Sequence, residues 1–363
     1  MNIAIFGLAI SSSWGNGHAA LWRGLVKALL RAGHGVTFFE RDVPWYASHR
    51  DLSDLPHGGK LIFYRDWAEL LGSARALLAE INAAVVTSYC PDGRAAARLV
   101  LDSNVSVRCF YDLDTPITLA RLEAGENVEY LLPEGLRGFD LVLSYTGGKA
   151  LELLCTWLGA KIAIPLYGSV DPELHVRAAP RPQYASCLSY IGTYAANRQF
   201  ALEQFLVAPA RLRPDARFVI AGAQYPCEFP WEPNIFFVRH LPPAEHGTFY
   251  SSSRLTLNVT RAAMARLGWC PSGRLFEAAA CGTPILTDWW EGLESFFQPG
   301  SEILVARTTE DVLAALDLPD LTLQAIARRA RDRVFANHTS TRRGGELIAA
   351  LESVMQPELM PEA

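Results

Sequence analysis

The residue types best suited to chemistry fall in four short segments of glycine, acids and arginine. The first is Ser11-Ser-Ser-Trp-Gly-Asn-Gly-His18. Gly15 and Gly17 let backbone N–H groups face an anion, and a helix starting there adds the positive end of its dipole. The spacing is not the G-x-G-x-x-G of a dinucleotide fingerprint, although Glu40, at the end of the next strand, imitates that fingerprint's ribose-binding acid. At a helix start the dipole disfavours imidazolium, so a neutral His18 can accept a proton from an attacking hydroxyl. Its ordinary alternative is a capping or loop-packing role. The second segment, Tyr111-Asp-Leu-Asp-Thr-Pro116, places two acids just past a strand. Asp112 is open to base work there, whereas Asp114 reads as the cap of a helix that Pro116 begins. The third pairs Gly192-Thr-Tyr-Ala-Ala-Asn-Arg198 with Asn258-Val-Thr-Arg261. Both arginines follow strands at the same sheet edge and offer forked, permanent charge to a phosphate. In the fourth, Ser272 and Gly273 open a helix that Gly282 closes. The first-turn amides at Gly273 and Arg274 can hold a diphosphate, and Glu277, one turn deeper, can accept from the two hydroxyls of an attached ribose. Leu275, Phe276 and Ala278–Ala280 make this helix apolar nearly all round, which argues against a solvent-facing Glu277.

Such loops need strands and helices to hold them. Short β-type runs at Ile3–Phe6, Val36–Phe39, Val85–Ser88, Val107–Tyr111, Leu141–Ser144 and Ile162–Ile164 alternate with helical patterns, as in a parallel sheet covered on both faces. Proline and glycine then interrupt the rhythm. It restarts at Leu188–Ile191 and continues through Phe218–Ala221, Ile235–Val238, Leu255–Val259, Ile285–Thr287 and Ile303–Val305. The expected fold class is α/β: two Rossmann-like, doubly wound domains facing a central cleft, with C-terminal helices that break near His338–Ser340. The boundaries are 1–168 for an N-terminal domain, 169–183 for a linker, 184–340 for a second domain and 341–363 for a C-terminal helix and tail.

Composition narrows the function classes. The 363 residues carry a net charge of −5, which disfavours a general nucleic-acid binder and leaves only peripheral contact with a membrane open. No window of about 18 apolar residues suggests a spanning helix. Asn2–Gly7 lacks a preceding positive region and reads as a strand rather than a signal peptide. The 7 cysteines include no C-x-x-C pair, so a zinc knuckle and a disulfide framework are both disfavoured, and a reducing, cytoplasmic setting is expected.

The stretch Ser272–Asp288 resembles the nucleotide-sugar site of group-1 glycosyltransferases of the GT-B fold, whose hallmark includes a glutamate followed by Ala-x-Ala-Cys-Gly-x-Pro. More narrowly, SGRLFEAAACGTPILTDWWEGLESFFQPG is similar to the spore-maturation, CgeB-type branch. Gly168-Ser-Val-Asp-Pro172 resembles the Gly-Val-Asp linker of these enzymes, and Trp14–His18 their glycine-rich first loop. The resemblance implies a transferase that moves a sugar from a nucleoside-diphosphate sugar, with UDP as the nucleotide, to an acceptor hydroxyl. It implies donor binding by the second domain through Gly192, Arg198, Arg261, Ser272, Gly273, Arg274 and Glu277. Gly15 and Gly17 of the first loop are expected to join the nucleotide-binding residues, and acceptor presentation falls to the first domain, with His18 or Asp112 as base. No metal or other cofactor is expected, because arginines and helix dipoles can stabilise a departing diphosphate. Asp112-Leu-Asp114 spells a metal triplet but lies in the acceptor domain. The family signature has a first glutamate eight positions before the second; Trp269 stands there, and Asp288 and Glu291 are the candidate substitutes. The alternatives are a nucleotide-sugar epimerase of the same architecture and a non-catalytic spore-coat or assembly protein that keeps the fold.

Overall fold

The computed structural model describes residues 1–355. The last residues of the expected 341–363 tail, 356–363, lie outside the described part. The chain divides into two compact units, one of Met1–Tyr167 with the chain from Ser340 onward, the other of Gly168–Thr339.

In the first unit, β1 (Asn2–Gly7), β2 (Gly35–Arg41), β3 (Lys60–Tyr64), β4 (Ala83–Thr87), β5 (Val107–Asp112), β6 (Leu141–Ser144) and β7 (Ala163–Pro165) form a parallel sheet. The order is β3-β2-β1-β4-β5-β6-β7. Alternate residues of β1 enter different cores. Ile3 and Ile5 pack with Trp22, Leu25 and Leu29 of the helix Gly17–Arg31, while Ala4 and Phe6 pack with Leu70, Ala74 and Leu78 of the helix Trp67–Leu78. Burial on both faces is why these strands read as unbroken apolar runs. The helix Ser340–Met355 completes this unit: Leu347, Ala350 and Leu351 join the Ile3 core, and Gly344 approaches Ala28.

In the second unit, β8 (Leu188–Ile191), β9 (Phe218–Gly222), β10 (Ile235–Arg239), β11 (Thr256–Asn258), β12 (Ile285–Thr287) and β13 (Leu304–Val305) pair in parallel in the order β10-β9-β8-β11-β12-β13. The segment 169–183, expected as a linker, is part of this unit. Val170 bridges Thr339, and the amides of Ala178 and Arg181 donate to Oγ of Ser251 and Ser252 at 3.0 and 2.9 Å. Gly247 permits this packing, since a Cβ there would stand 2.7 Å from the Val176 carbonyl oxygen. Each sheet reverses its direction of growth once, between β1 and β4 and between β8 and β11. In open α/β sheets ligands bind at such points, outside the carboxyl ends of the strands. The loops singled out above occupy those ends.

Candidate active site

At the β8/β11 switch point three arginines gather. Arg198, in the loop after β8, donates through Nη1 to the Thr193 carbonyl at 3.2 Å and to the Tyr190 hydroxyl at 3.5 Å. Arg274, in the first turn of the helix Gly273–Ala280, donates through Nη1 to Oδ1 of Asn258 at 3.1 Å and lies 5.3 Å from the Tyr190 ring centroid. Arg261 follows β11 and caps the short helix Ala262–Leu267. Burial, and then the charges of Arg274 and Arg261, pull Arg198 below the usual guanidinium value, with Tyr190 acting against them. Among the described residues, neither Arg198 nor Arg274 touches a carboxylate. Clustered positive charge of this kind is relieved by an anion.

The surrounding backbone leaves room for one. Ser272 stands at the N-cap of Gly273–Ala280 without a side-chain capping bond, so the first-turn amides are not consumed by it. A Cβ at Gly192 would lie 2.8 Å from the Tyr190 hydroxyl and 3.2 Å from the Arg274 guanidinium. Glycine keeps that approach open.

Glu277 lies one turn along the same helix, its side chain 14% exposed. Nδ1 of His246 is 3.3 Å from Oε2, Nε2 of His175 is 3.9 Å from Oε1, and the Tyr250 hydroxyl donates to Oε2 at 3.5 Å. Burial opposes its charge, yet the approach of His246, then His175 and, least, the Arg274 guanidinium outweighs burial and holds the carboxyl at about 2. The sequence shows that Glu277 is not solvent-facing; it does not show these partners. His246 comes from the helix Pro243–Ser251, and His175 from the segment read as a linker. No local spacing links the three.

Of the two candidate substitutes for the family's first glutamate, Asp288 has other work. Oδ1 of Asp288 accepts from the amide and hydroxyl of Thr260 at 3.0 and 2.9 Å, and burial raises its carboxyl above the ordinary value. Asp288 therefore braces the loop after β11. Glu291 is exposed, and only its backbone carbonyl is tied down, accepting from the amide of Trp269 at 2.7 Å. Trp269 has a φ of 49°, and its indole fills the space beside Gly292, where a Cβ would be 2.5 Å away.

In the first unit, Asn16 caps the helix Gly17–Arg31, its Oδ1 accepting from the His18 amide at 3.1 Å. Nε2 of His18 is 3.8 Å from Oδ2 of Asp114, and its ring is 5.5 Å from that of Tyr89. Asp114 does stand at the N-cap of the helix Thr115–Glu123, but its side chain makes no capping bond and approaches His18 instead. The capping role expected for it is thus corrected. Asp112 is wholly buried; its Oδ1 accepts from the Asp114 amide at 3.1 Å, and burial raises its carboxyl to about 6. Glu40 is also wholly buried, with the amides of Ile10 and Ser11 donating to Oε2 at 2.8 and 2.9 Å and the Ser11 hydroxyl to Oε1. It anchors the first loop, which removes it as a reader of ribose. Gly15, at a φ of 61°, and Gly17 have open space where a Cβ would stand.

Residues 198–349 match a family model described as glycosyl transferase-like. No curated protein matches the sequence significantly. Among solved structures, the sucrose-phosphate synthase of Thermosynechococcus elongatus is similar over 98% of this chain and 100% of its own, with 15% identity and a TM-score of 0.75. An Anabaena protein, HepE, in complex with UDP and glucose, is similar over 97% of this chain and 99% of its own, with 12% identity and a TM-score of 0.67. An alpha-glucosyltransferase in complex with UDP and DNA gives 14% identity and a TM-score of 0.66 over 97% and 99% of the two chains. At these identities the likeness is one of fold: the chain has the α/β, GT-B architecture of two doubly wound parallel sheets.

Proposed function

We propose that this chain is a glycosyltransferase of the group-1, spore-maturation branch, moving a sugar from a UDP-sugar to an acceptor hydroxyl. The observation that carries the reading is the gathering of Arg198, Arg261 and Arg274 beside a helix N-terminus at the switch point of the second sheet. Guanidinium forks and first-turn amides match a diphosphate, and they can stabilise its developing charge as the sugar leaves, without a cation on the phosphates. Glu277, further along the same helix, can accept from ribose hydroxyls. UDP and glucose bound to the Anabaena relative, and the glycosyl transferase-like match over the donor half, support the same choice.

His18 is the proposed base for the acceptor hydroxyl, with Asp114 holding the charge that develops on the ring. Complete burial leaves Asp112 to shape the turn that carries Asp114. Incubation with a panel of UDP-sugars, followed by product analysis, tests the reading. Slow release of UDP and free sugar in the absence of acceptor is expected, and His18→Ala should lower turnover by about 10²–10⁴-fold while leaving UDP affinity intact. Inversion at the sugar C2 would instead mark an epimerase. Binding without any turnover would mark a protein that keeps the fold without catalysis.

A further inference from the structure

The contacts of His175, His246 and Glu277 are poorly explained by hydrogen bonding. Nδ1 of His175 lies 3.3 Å from the Asp171 carbonyl, which can only accept, so Nδ1 carries the ring proton. Nε2 of the neutral ring then presents a lone pair, buried, without a hydrogen-bond partner, and 3.9 Å from Oε1 of Glu277. Nδ1 of His246, also buried, approaches the other carboxylate oxygen at 3.3 Å without a well-directed hydrogen bond. Two imidazole nitrogens and a carboxylate oxygen from three separate segments of the second unit thus lie within 4.8 Å of one another.

We propose that His175, His246 and Glu277 bind one divalent transition-metal ion of the zinc class, with a fourth position left to water or another ligand. Two imidazoles and a carboxylate are a donor set that suits zinc, and a backbone carbonyl accepting the far N–H of a ligating histidine is the usual outer-shell partner. Metal–ligand bonds of about 2.0–2.2 Å place tetrahedral ligands about 3.4 Å apart. The His246–Glu277 pair already meets that spacing, and the remaining separations, none above 4.8 Å, need to close by about 1 Å, within the reach of side-chain rotation. The ion would fasten the His175 segment to the helices Pro243–Ser251 and Gly273–Ala280. A carboxylate has about four lone-pair directions, so Glu277 can serve the ion and still accept from a ribose hydroxyl. The inference goes beyond the transferase reading and does not depend on it, because the ion is measured without nucleotide.

Cobalt(II) titrated into chelator-treated full-length protein is the test, read by its visible absorption. The expected result is one equivalent giving the intense bands of four- or five-coordinate cobalt, displaced by one equivalent of zinc and lost in both His175→Ala and His246→Ala. Zinc should also raise the melting temperature of the wild type but of neither variant. A weak, six-coordinate spectrum from the wild type would overturn the proposal, as would bands that survive in the variants. Circular dichroism checks that the variants fold; should they not, the wild-type spectrum and stoichiometry decide alone. UDP titration of the same chelated protein keeps a failure here distinct from a failure of the donor site.

Discussion

Asp112 and Asp114 stand one residue apart in the sequence, yet their carboxylates meet opposite environments. Asp114 is part-exposed and approaches His18, whereas Asp112 is sealed and carries a carboxyl raised to about 6 by burial. Residue type and position past a strand made both plausible in chemistry; only burial separates them, and burial depends on how Thr115–Glu123 leaves the strand. The raised value has a measurable consequence. Between the ordinary carboxyl value of 3.8 and about 6, the folded state holds a proton at Asp112 that the unfolded chain has lost, so this residue's contribution to stability is full below that window and falls as pH rises through it. Asp112→Asn keeps an acceptor for the Asp114 amide and has nothing to titrate. By urea unfolding, its stability relative to wild type should climb from pH 4 to pH 6.5, by at most about 3 kcal/mol. A difference that stays flat across that range would show that Asp112 ionises as readily folded as unfolded.

Within each sheet, the elements most legible in the sequence are those buried on both faces, such as β1, β4 and β5, whose apolar runs need no alternation. The expected strands of the second half match the observed ones to within a residue or two at their ends. β3 and the helix Trp67–Leu78 escaped the reading. β3 is the edge strand, and Leu61, Ile62 and Phe63 are only partly buried, so it lacks the two-sided burial that marks the inner strands. Glycines within these elements differ in what they do, and the contrast is testable. A Cβ at Gly222, the last residue of β9, would stand 2.1 Å from the Gly192 carbonyl oxygen, a backbone atom of the adjoining strand end that cannot step aside. Gly72, inside the helix Trp67–Leu78, has nothing within 4 Å of that position. Gly222→Ala should therefore cost about 1–3 kcal/mol through overpacking, and Gly72→Ala should add about 0.5–1 kcal/mol through helix propensity. Thermal melts of the two variants check both signs; equal shifts would mean that the close approach of residues 192 and 222 is not a real constraint.

Over the whole molecule, the sequence alone points to two α/β units and to the loops at their strand ends, because those signals are local. It does not show which side chains meet. The spacing singles out Arg274 for its backbone amide, and the structure adds its part-buried guanidinium, bonded to Asn258 and near the Tyr190 ring. His175, His246 and Glu277 come together only because a segment resembling a linker folds onto the second sheet's helices. Nor does chain order announce that Ser340–Met355 returns to the first unit, since an amphipathic helix carries no address. Convergence of Arg198, Arg261 and Arg274 is the point on which the functional reading rests, and calorimetric titration of UDP into the full chain examines it directly. Wild type should bind one equivalent, and Arg198→Ala should bind at least about tenfold more weakly, as expected for hydrogen bonds between charged groups. Arg198→Lys should fall between the two, since it keeps the charge and loses the fork. No saturable binding by wild type, or the same affinity in Arg198→Ala, would contradict a diphosphate site at this switch point.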